Sequence, residues 1–228
     1  MTKARTQGFD IGAYRGVVIG CGGLGCNVSV HLAGAGIGKL TVVDFDTVSP
    51  GNLNRQFLYS PEDIGSAKAS LCAQRLKKYA PDTDLIAVDQ KLEDESDLDF
   101  MSDCDIIFSA VDNVETRMIL QKFCIKHRIP LVNGGINGFF GSVYLFVPGN
   151  TPCLDCAGVL KKESGVIRSV STTAGIIGAL QAQFGIQYLI NSHTDAAGVL
   201  HLYDNGEITK LKIKPRQDCG ICGRNKNV

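Results

Sequence analysis

The chain has 228 residues, 44% of them hydrophobic, which is enough to bury the core of one α/β domain or of one domain with an appendage. Lysine plus arginine and aspartate plus glutamate each number 23, so no overall field draws the chain to nucleic acid or to an anionic membrane. The N-terminus has no apolar core before a cleavage-like site, and no stretch reaches the roughly 18 apolar residues of a membrane span. We therefore expect a cytoplasmic protein that binds neither nucleic acid nor membrane.

The first elements are predicted to be a strand, a glycine turn and a helix. Residues 15–19 form a short β-branched run, and residues 24–35 place apolar side chains at helical spacing. A second apolar run at 40–43, closed by Asp44, follows after a crossover of about 20 residues, which fits a right-handed βαβ unit. The first part of the sheet is therefore predicted to be parallel.

The rest of the chain predicts a larger sheet with helices between its strands. Polar, turn-rich residues precede an amphipathic helix at 67–79 that stops before a proline. The further elements are buried strands at 85–88 and 106–109, a helix at 114–127, strands at 131–133 and 142–147, a long apolar helix at 173–190, and a hairpin of strands 199–203 and 208–213. The fold class is α/β: a Rossmann-like, doubly wound, mostly parallel sheet with an antiparallel C-terminal extension.

The glycine turn predicts a nucleotide site. Gly20, Gly22 and Gly25 match G-x-G-x-x-G between a strand and a helix, where backbone N–H groups can face a phosphate with no side chain in the way. Asp44, at the end of the second strand, is placed to accept hydrogen bonds from ribose hydroxyls. These features fit NAD and ATP equally well.

Polar residues further along the chain favour ATP. Asn52, Arg55 and Lys68 supply an amide and two cations near the C-terminal edge of the sheet, a charge that a triphosphate needs and a dinucleotide does not. Asp112 follows a predicted strand, where its carboxylate can hold Mg²⁺ and so bridge phosphate oxygens. Asn113 is placed either to hydrogen-bond the base or to cap the next helix. Together these residues predict a Mg-ATP site.

Two C-x-x-C motifs, Cys153 with Cys156 and Cys219 with Cys222, predict a structural zinc site. Four thiolates fill the tetrahedral coordination of Zn²⁺ and leave no open position for catalysis, so the ion would clip the tail to the crossover region. Redox chemistry by one motif is the alternative. The other five cysteines are expected to be small core residues: Cys21, Cys26, Cys72, Cys104 and Cys124.

Five motifs occur together in one order and spacing: the glycine turn at 20–25, Val43-Asp44-Phe45-Asp46, Asn52-Leu53-Asn54-Arg55-Gln56, Lys68, and Asp112-Asn113. In this the chain resembles the ThiF/MoeB/HesA adenylyltransferases, relatives of the ubiquitin-activating enzymes, from about residue 8 to residue 222. The resemblance implies that Gly23 and Asp44 contact the nucleoside and that Asn52, Arg55 and Lys68 hold the phosphates. Asp112 would organise Mg²⁺ and the reacting centre.

The resemblance also implies an activity, a partner and an assembly. One domain over residues 1–228, with a crossover loop at about 157–172 and a zinc-clipped tail, would adenylylate the C-terminal glycine carboxylate of a small ubiquitin-like sulfur carrier ending in Gly-Gly. Pyrophosphate would leave, and Arg55, Lys68 and Asp112 would be the catalytic residues. A homodimer is expected from the family's habit.

Two departures from the family pattern refine this expectation. No cysteine lies between Ala157 and Thr173, where some relatives form a covalent link to the carrier, so we predict adenylylation without that link and a separate sulfur donor. The N-terminal segment is short, and Arg5 is not assigned the role of the N-terminal arginine that in relatives reaches the ATP of the partner subunit.

Three other functions stay open at the level of the sequence. The same chemistry on a small-molecule or peptide carboxylate fits the short N-terminus and the missing cysteine. An NAD-dependent oxidoreductase fits the glycine turn alone, although the four histidines, His31, His127, His193 and His201, lie in contexts typical of structural residues. A dimeric ATP-binding regulator is the third, with apolar residues 176–189 as its interface.

Overall fold

A computed structural model describes residues 10–160 and 169–222, and within these ranges the chain forms eight strands and four α-helices. The strands are β1 (Arg15–Ile19), β2 (Lys39–Val43), β3 (Asp84–Val88), β4 (Ile106–Ser109), β5 (Leu131–Asn137), β6 (Phe140–Phe146), β7 (Val199–Asp204) and β8 (Glu207–Lys212). The α-helices are α1 (Gly23–Gly34), α2 (Lys68–Tyr79), α3 (Val114–His127) and α4 (Ser171–Asn191). Short 3₁₀ helices lie at Pro50–Asn52, Pro61–Asp63 and Glu95–Met101.

All eight strands belong to one sheet with the order β3-β2-β1-β4-β5-β6-β7-β8. The strands from β3 to β5 are parallel to their neighbours, and those from β5 to β8 are antiparallel. This confirms the predicted doubly wound sheet with its antiparallel extension. The chain reverses its direction of winding between β1 and β4, and the carboxyl ends of parallel strands at such a point form the crevice where ligands bind.

Helices cover both faces of the sheet. On one face α1, α2 and α4 pack into a buried cluster, and on the other face α3 packs over β4 and β5. The small residues of α4 allow close approach: a Cβ on Gly185 would lie 2.3 Å from the ring of Phe108, and one on Gly178 would lie 2.6 Å from Asn27 of α1. The predicted long helix therefore packs against the sheet and against another helix. No helix in the described parts of the chain is long and apolar enough to cross a membrane.

Several predicted elements differ in detail from the structure. The prediction of a buried strand at 85–88 is wrong in its burial, because β3 is an edge strand and all of its residues are half-exposed or exposed. Strand β5 continues to Asn137 and turns into β6 at Gly138, whose φ of +60° suits glycine. The 3₁₀ helix Glu95–Met101 was not predicted, since its apolar residues are too few to show a period.

Candidate functional site

A cleft of about 990 Å³ lies at the carboxyl ends of β1, β2 and β4, where the winding reverses. Every residue that the sequence assigned to the nucleotide lines this cleft: Gly20, Gly22, Gly23, Asp44, Asn52, Arg55, Lys68, Asp112 and Asn113. Five separate segments supply them, so the fold brings together residues up to 93 positions apart, from Gly20 to Asn113. Arg5 and residues 161–168 of the predicted crossover loop lie outside the described residues.

The glycine turn between β1 and α1 leaves no space for side chains at two of its positions. Gly20 has a φ of +94°, and a Cβ there would lie 2.8 Å from the carbonyl oxygen of Ala110. A Cβ on Gly25 would lie 1.7 Å from the carbonyl oxygen of Gly20. Gly22 occupies the N-cap position of α1, where no side chain covers the first backbone N–H groups of the helix. These donors and the positive end of the helix dipole therefore face the cleft and favour an anion.

Asp44 is held at the end of β2 by two backbone donors. Its carboxylate accepts a hydrogen bond from Cys21 N at 2.6 Å and another from Asp46 N at 2.8 Å. Burial raises the pKa of the Asp44 carboxyl, while both hydrogen bonds act in the opposite direction. The carboxylate is therefore fixed in orientation against the glycine turn, next to the cleft.

Lys68 forms a salt bridge inside the cleft. Its side chain is only 6% exposed, and Nζ lies 3.0 Å from Oδ2 of Asp46, whose side chain is 53% exposed. The backbone N–H of Lys68 also donates to the carbonyl oxygen of Asp46. A buried ammonium needs such a counter-charge, because desolvation of an unpaired charge is costly. Asp46 thus neutralises Lys68 and holds the start of α2 against the end of β2.

Asn52 ends the 3₁₀ helix Pro50–Asn52, and Arg55 lies in the turn that follows it. Asn52 Oδ1 accepts from Ser49 N at 3.2 Å and closes the turn. Arg55 Nη1 donates to the Gly51 carbonyl oxygen and to Asn54 Oδ1, both at 2.9 Å. The stem of Arg55 packs over the glycine turn, since a Cβ on Gly23 would lie 3.3 Å from Arg55 Cγ. The guanidinium is therefore anchored beside the backbone N–H groups of the glycine turn.

Asp112 and Asn113 follow β4 on the opposite wall of the cleft. Asn113 Oδ1 accepts from Thr116 N at 2.7 Å and caps α3, so the structure shows the capping role that the sequence allowed. Asp112 is exposed on the wall. Its carboxylate has the oxygen chemistry that Mg²⁺ prefers.

Asp46, Gln56 and Arg117 also line the cleft, and none of them was assigned a role from the sequence. Asp46 and Gln56 belong to the motifs quoted above. The contact of Asp46 with Lys68 and that of Gln56 with Gly22 form only when the chain folds. Arg117 was not singled out, although it lies one helical turn beyond Asn113, which was the available signal. Its guanidinium donates to the carbonyl oxygen of Val111 at 2.8 Å and is within 3.4 Å of two more carbonyl oxygens. Arg117 thereby supports the residue that precedes Asp112.

The four predicted zinc ligands lie together at a second site. The sulfur atoms of Cys153 and Cys219 are 3.5 Å apart, as are those of Cys156 and Cys222, and all four lie within 4.8 Å of one another. Zn–S bonds of about 2.3 Å in a tetrahedron require sulfur atoms about 3.8 Å apart, so the cluster fits this ion. The shortest contacts join the two motifs, which favours a shared metal over redox chemistry within one motif. Asp155 and Arg216, 2.6 Å apart, add a salt bridge across the same junction.

The remaining cysteines and two of the histidines are structural. The five cysteines expected in the core are all buried: Cys21, Cys26, Cys72, Cys104 and Cys124. The ring of His127 stacks on Phe123 with centroids 4.2 Å apart, and that of His201 lies 4.6 Å from Phe184. Neither histidine lines the cleft. This arrangement agrees with the structural role that their sequence contexts predicted.

Comparison with known proteins agrees with the site. The model of the ThiF family matches residues 7–221. The molybdopterin-synthase adenylyltransferase of Salmonella typhimurium is 32% identical over 96% of this chain and 93% of its own length. The sulfur carrier protein ThiS adenylyltransferase of Escherichia coli is 33% identical over 91% of this chain and 85% of its own length.

Solved structures show the same fold. The crystal structure of E. coli MccB with ATP has a TM-score of 0.84 at 24% identity, and the match covers 93% of this chain and 67% of that one. The family match spans nearly the whole chain, and the relatives that share about a third of its residues are named as adenylyltransferases. The chain therefore belongs to the ThiF family and is an adenylyltransferase, an enzyme that transfers AMP.

Proposed function

We propose that this enzyme uses Mg-ATP to adenylylate the C-terminal glycine carboxylate of a small ubiquitin-like sulfur-carrier protein that ends in Gly-Gly. The main support is the single cleft that unites all nine residues predicted for the nucleotide. The names of the relatives, which refer to molybdopterin synthase and to the sulfur carrier ThiS, support the class of substrate. Family membership favours AMP transfer over the hydride transfer that a glycine turn alone permits.

The proposed binding roles follow from the chemistry of each side chain. The backbone N–H groups around Gly22 and Gly23 face the phosphates, and the Asp44 carboxylate accepts from ribose hydroxyls. Asn52 and Arg55 contact the phosphate chain from the segment that packs over the glycine turn at Gly23. Asp112 would hold Mg²⁺, which neutralises charge on phosphate oxygens when it is bound.

The proposed reaction is one displacement at phosphorus. An oxygen of the carrier carboxylate forms a bond to the α-phosphorus, the bond to the β-phosphate oxygen breaks, and pyrophosphate leaves with its electron pair. The products are an acyl adenylate and pyrophosphate. Arg55 and Lys68 offset the negative charge that develops on the phosphoryl oxygens, and the fixed positions of both reactants lower the entropic barrier. No side-chain nucleophile is needed for this step.

An extended carrier tail has room beside the nucleotide residues. The cleft continues from Asp112 along the face of β5, β6 and β7, where it is lined by small or apolar residues. Gly135 and Ser142 have small side chains or none, so the sheet face is open there. Leu200 and Leu202 make the adjoining surface apolar. Such a surface suits a peptide that ends in Gly-Gly, because its last two residues have no side chains and its backbone can lie close to the sheet.

We propose further that one adenylylation domain spans residues 1–228 and works as a cytoplasmic homodimer with a zinc-clipped tail. A separate protein would deliver the sulfur, because residues 157–172 contain no cysteine to hold the activated carrier. Zn²⁺ at the four-cysteine cluster would be structural, since the four sulfur ligands complete its coordination.

ATP–pyrophosphate exchange tests the proposed function directly. We expect the wild-type enzyme with Mg²⁺ and a Gly-Gly-ended carrier to exchange labelled pyrophosphate into ATP. Asp112→Ala should reduce the exchange rate by about 10³-fold or more, because it removes the group proposed to organise the metal. Asp82→Ala is the matched control, since Asp82 is exposed and lies outside the cleft.

Two outcomes would count against the proposal. If a panel of Gly-Gly-ended carriers supports no exchange while a small carboxylate or another peptide does, the activity stands and the substrate class is wrong. If Asp112→Ala exchanges pyrophosphate as fast as Asp82→Ala, the assignment of the reacting centre to this wall of the cleft fails.

A further inference from the structure

Tyr59 is a buried tyrosine whose hydroxyl joins two nucleotide-binding segments. Its side chain belongs to the core and does not line the cleft. The hydroxyl lies 2.9 Å from the carbonyl oxygen of Cys21, inside the glycine turn, and 3.2 Å from the carbonyl oxygen of Lys68, the first residue of α2. Tyr59 itself belongs to the segment that carries Asn52 and Arg55. One hydroxyl group therefore connects three of the five segments that supply the predicted nucleotide residues.

The peptide groups of Cys21 are held on both sides. Its N–H donates to Asp44 at 2.6 Å, and its carbonyl oxygen accepts from the hydroxyl of Tyr59 and from Cys26 Sγ at 3.2 Å. The phosphate-facing amides of the turn follow directly in the chain. A carbonyl that is fixed from behind by a buried donor sets the direction of the next N–H group, because the peptide unit is planar.

Lys68 is fixed through its backbone as well as its side chain. Its N–H donates to the Asp46 carbonyl oxygen at 3.0 Å, and its own carbonyl oxygen lies within reach of the Tyr59 hydroxyl. Because α2 begins at this residue, a small shift of the helix end would move the ammonium relative to the glycine turn. The Tyr59 hydroxyl is the direct link between these two groups, one of which supplies amides and the other a cation.

We propose that Tyr59 is a positioning residue that sets the distance between the glycine turn and Lys68, and so the affinity of the cleft for the phosphates of ATP. This inference rests on the proposed function, in which both groups contact the same phosphate chain. Tyr59 touches no substrate and acts through Cys21 and Lys68. A site that must hold reacting groups within about 0.5 Å depends on such supporting hydrogen bonds.

Tyr59→Phe removes the hydroxyl and keeps the ring, and Tyr144→Phe is its matched control. Tyr144 is also buried, its hydroxyl donates to the Pro152 carbonyl oxygen at 2.7 Å, and it lies outside the cleft. Loss of one buried hydrogen bond should lower the thermal stability of both variants to a similar degree. Only Tyr59→Phe should also weaken nucleotide binding.

The experiment compares wild type and the two variants in three measurements. Calorimetry with a non-hydrolysable ATP analogue should give a Kd about threefold to tenfold higher for Tyr59→Phe and an unchanged Kd for Tyr144→Phe. In pyrophosphate exchange, the KM for ATP should rise by the same factor and the KM for the carrier should not change. Amide hydrogen exchange should accelerate at residues 20–25 and 67–72 in Tyr59→Phe alone.

The inference is overturned if both variants bind the analogue like wild type, or if both lose the same affinity, since either result leaves Tyr59 a structural core residue. A wild-type enzyme that binds the analogue without exchanging pyrophosphate contradicts the proposed function only, and the binding comparison still decides the role of Tyr59. A wild type that does not bind the analogue contradicts both.

Discussion

Gly25 lies directly against the backbone of its own turn, because a Cβ at this position would lie 1.7 Å from the Gly20 carbonyl oxygen. We expect Gly25→Ala to lower the free energy of unfolding by about 3 kcal/mol or more, or to prevent folding, since backbone atoms cannot move aside as a side chain can. Urea denaturation measures the change.

Gly34→Ala is the control for this substitution. Gly34 ends α1, and an added Cβ would meet no atom within 4 Å. Alanine there should leave stability unchanged or raise it by up to about 1 kcal/mol, because it favours the helix. Equal stability of the two variants would show that the turn is not as tightly closed as the structure indicates.

For single residues, the sequence could predict which side chains line the cleft, but not which hydrogen bonds and ion pairs they form with one another. The spacing of the glycines and Asp44 follows from a local strand-turn-helix geometry, so it was readable from the chain. The ion pair of Lys68 with Asp46 joins residues 22 positions apart on different elements. This ion pair forms only because α2 packs beside the end of β2, and no local sequence pattern predicts that packing.

The C-terminal tail is an element whose position depends on the cysteine cluster. The final turn that contains Cys219 and Cys222 follows β8, whose residues are all exposed, while Ile213 and Ile221 pack against the core on either side of Cys219. Zn²⁺ bound by the four cysteines would add a direct link between this turn and the segment of Cys153 and Cys156. The tail should be the first part to detach when the metal is removed.

We expect one zinc ion per chain, measured by elemental analysis. Chelation, or Cys219→Ser, should remove the ion, lower Tm by roughly 10 °C and open residues 213–222 to proteolysis, because loss of a structural metal is among the strongest destabilising changes. Cys104→Ala is the control. Cys104 is buried but is not part of the four-cysteine cluster, so this variant should retain the metal. Protein without zinc that keeps its Tm and its protease resistance would contradict the structural role.

Most helices and strands were predictable as elements, whereas their environment was not. The periods of α3 and α4 gave bounds within about two residues of the structure, because long apolar patterns are strong local signals. The exposure of β3 was missed, since edge position is a property of strand order rather than of the strand. The extension of β5 to Asn137 was missed because Gly134 and Gly135 have no side chains to show strand alternation.

The distribution of cysteines over the whole molecule limits the covalent chemistry available to the enzyme. All nine lie within the described residues, and they divide into five buried core residues and the four of the metal cluster. Burial also raises the pKa of Cys124 and Cys104, which suppresses their thiolate forms. None of the five core cysteines is exposed, and the other four are the ligands proposed for zinc.

We expect the activated carrier to remain non-covalently bound. Incubation of enzyme, Mg-ATP and carrier should yield acyl adenylate and no enzyme-carrier adduct by mass spectrometry under non-reducing conditions. A carrier variant without its C-terminal glycine carboxylate is the negative control. A thioester or acyl disulfide mapped to any cysteine of the enzyme would contradict the prediction.

The salt bridge of Lys68 with Asp46 describes the charge state of the cleft without ATP. The ammonium of Lys68 is almost fully desolvated, whereas the carboxylate of Asp46 is about half exposed to water. In the proposed reaction the phosphates of ATP replace Asp46 as the anion beside Lys68, and Asp46 returns when pyrophosphate departs. Each turnover would then exchange one anion for another, so the buried ammonium of Lys68 would keep an anionic partner both with and without ATP.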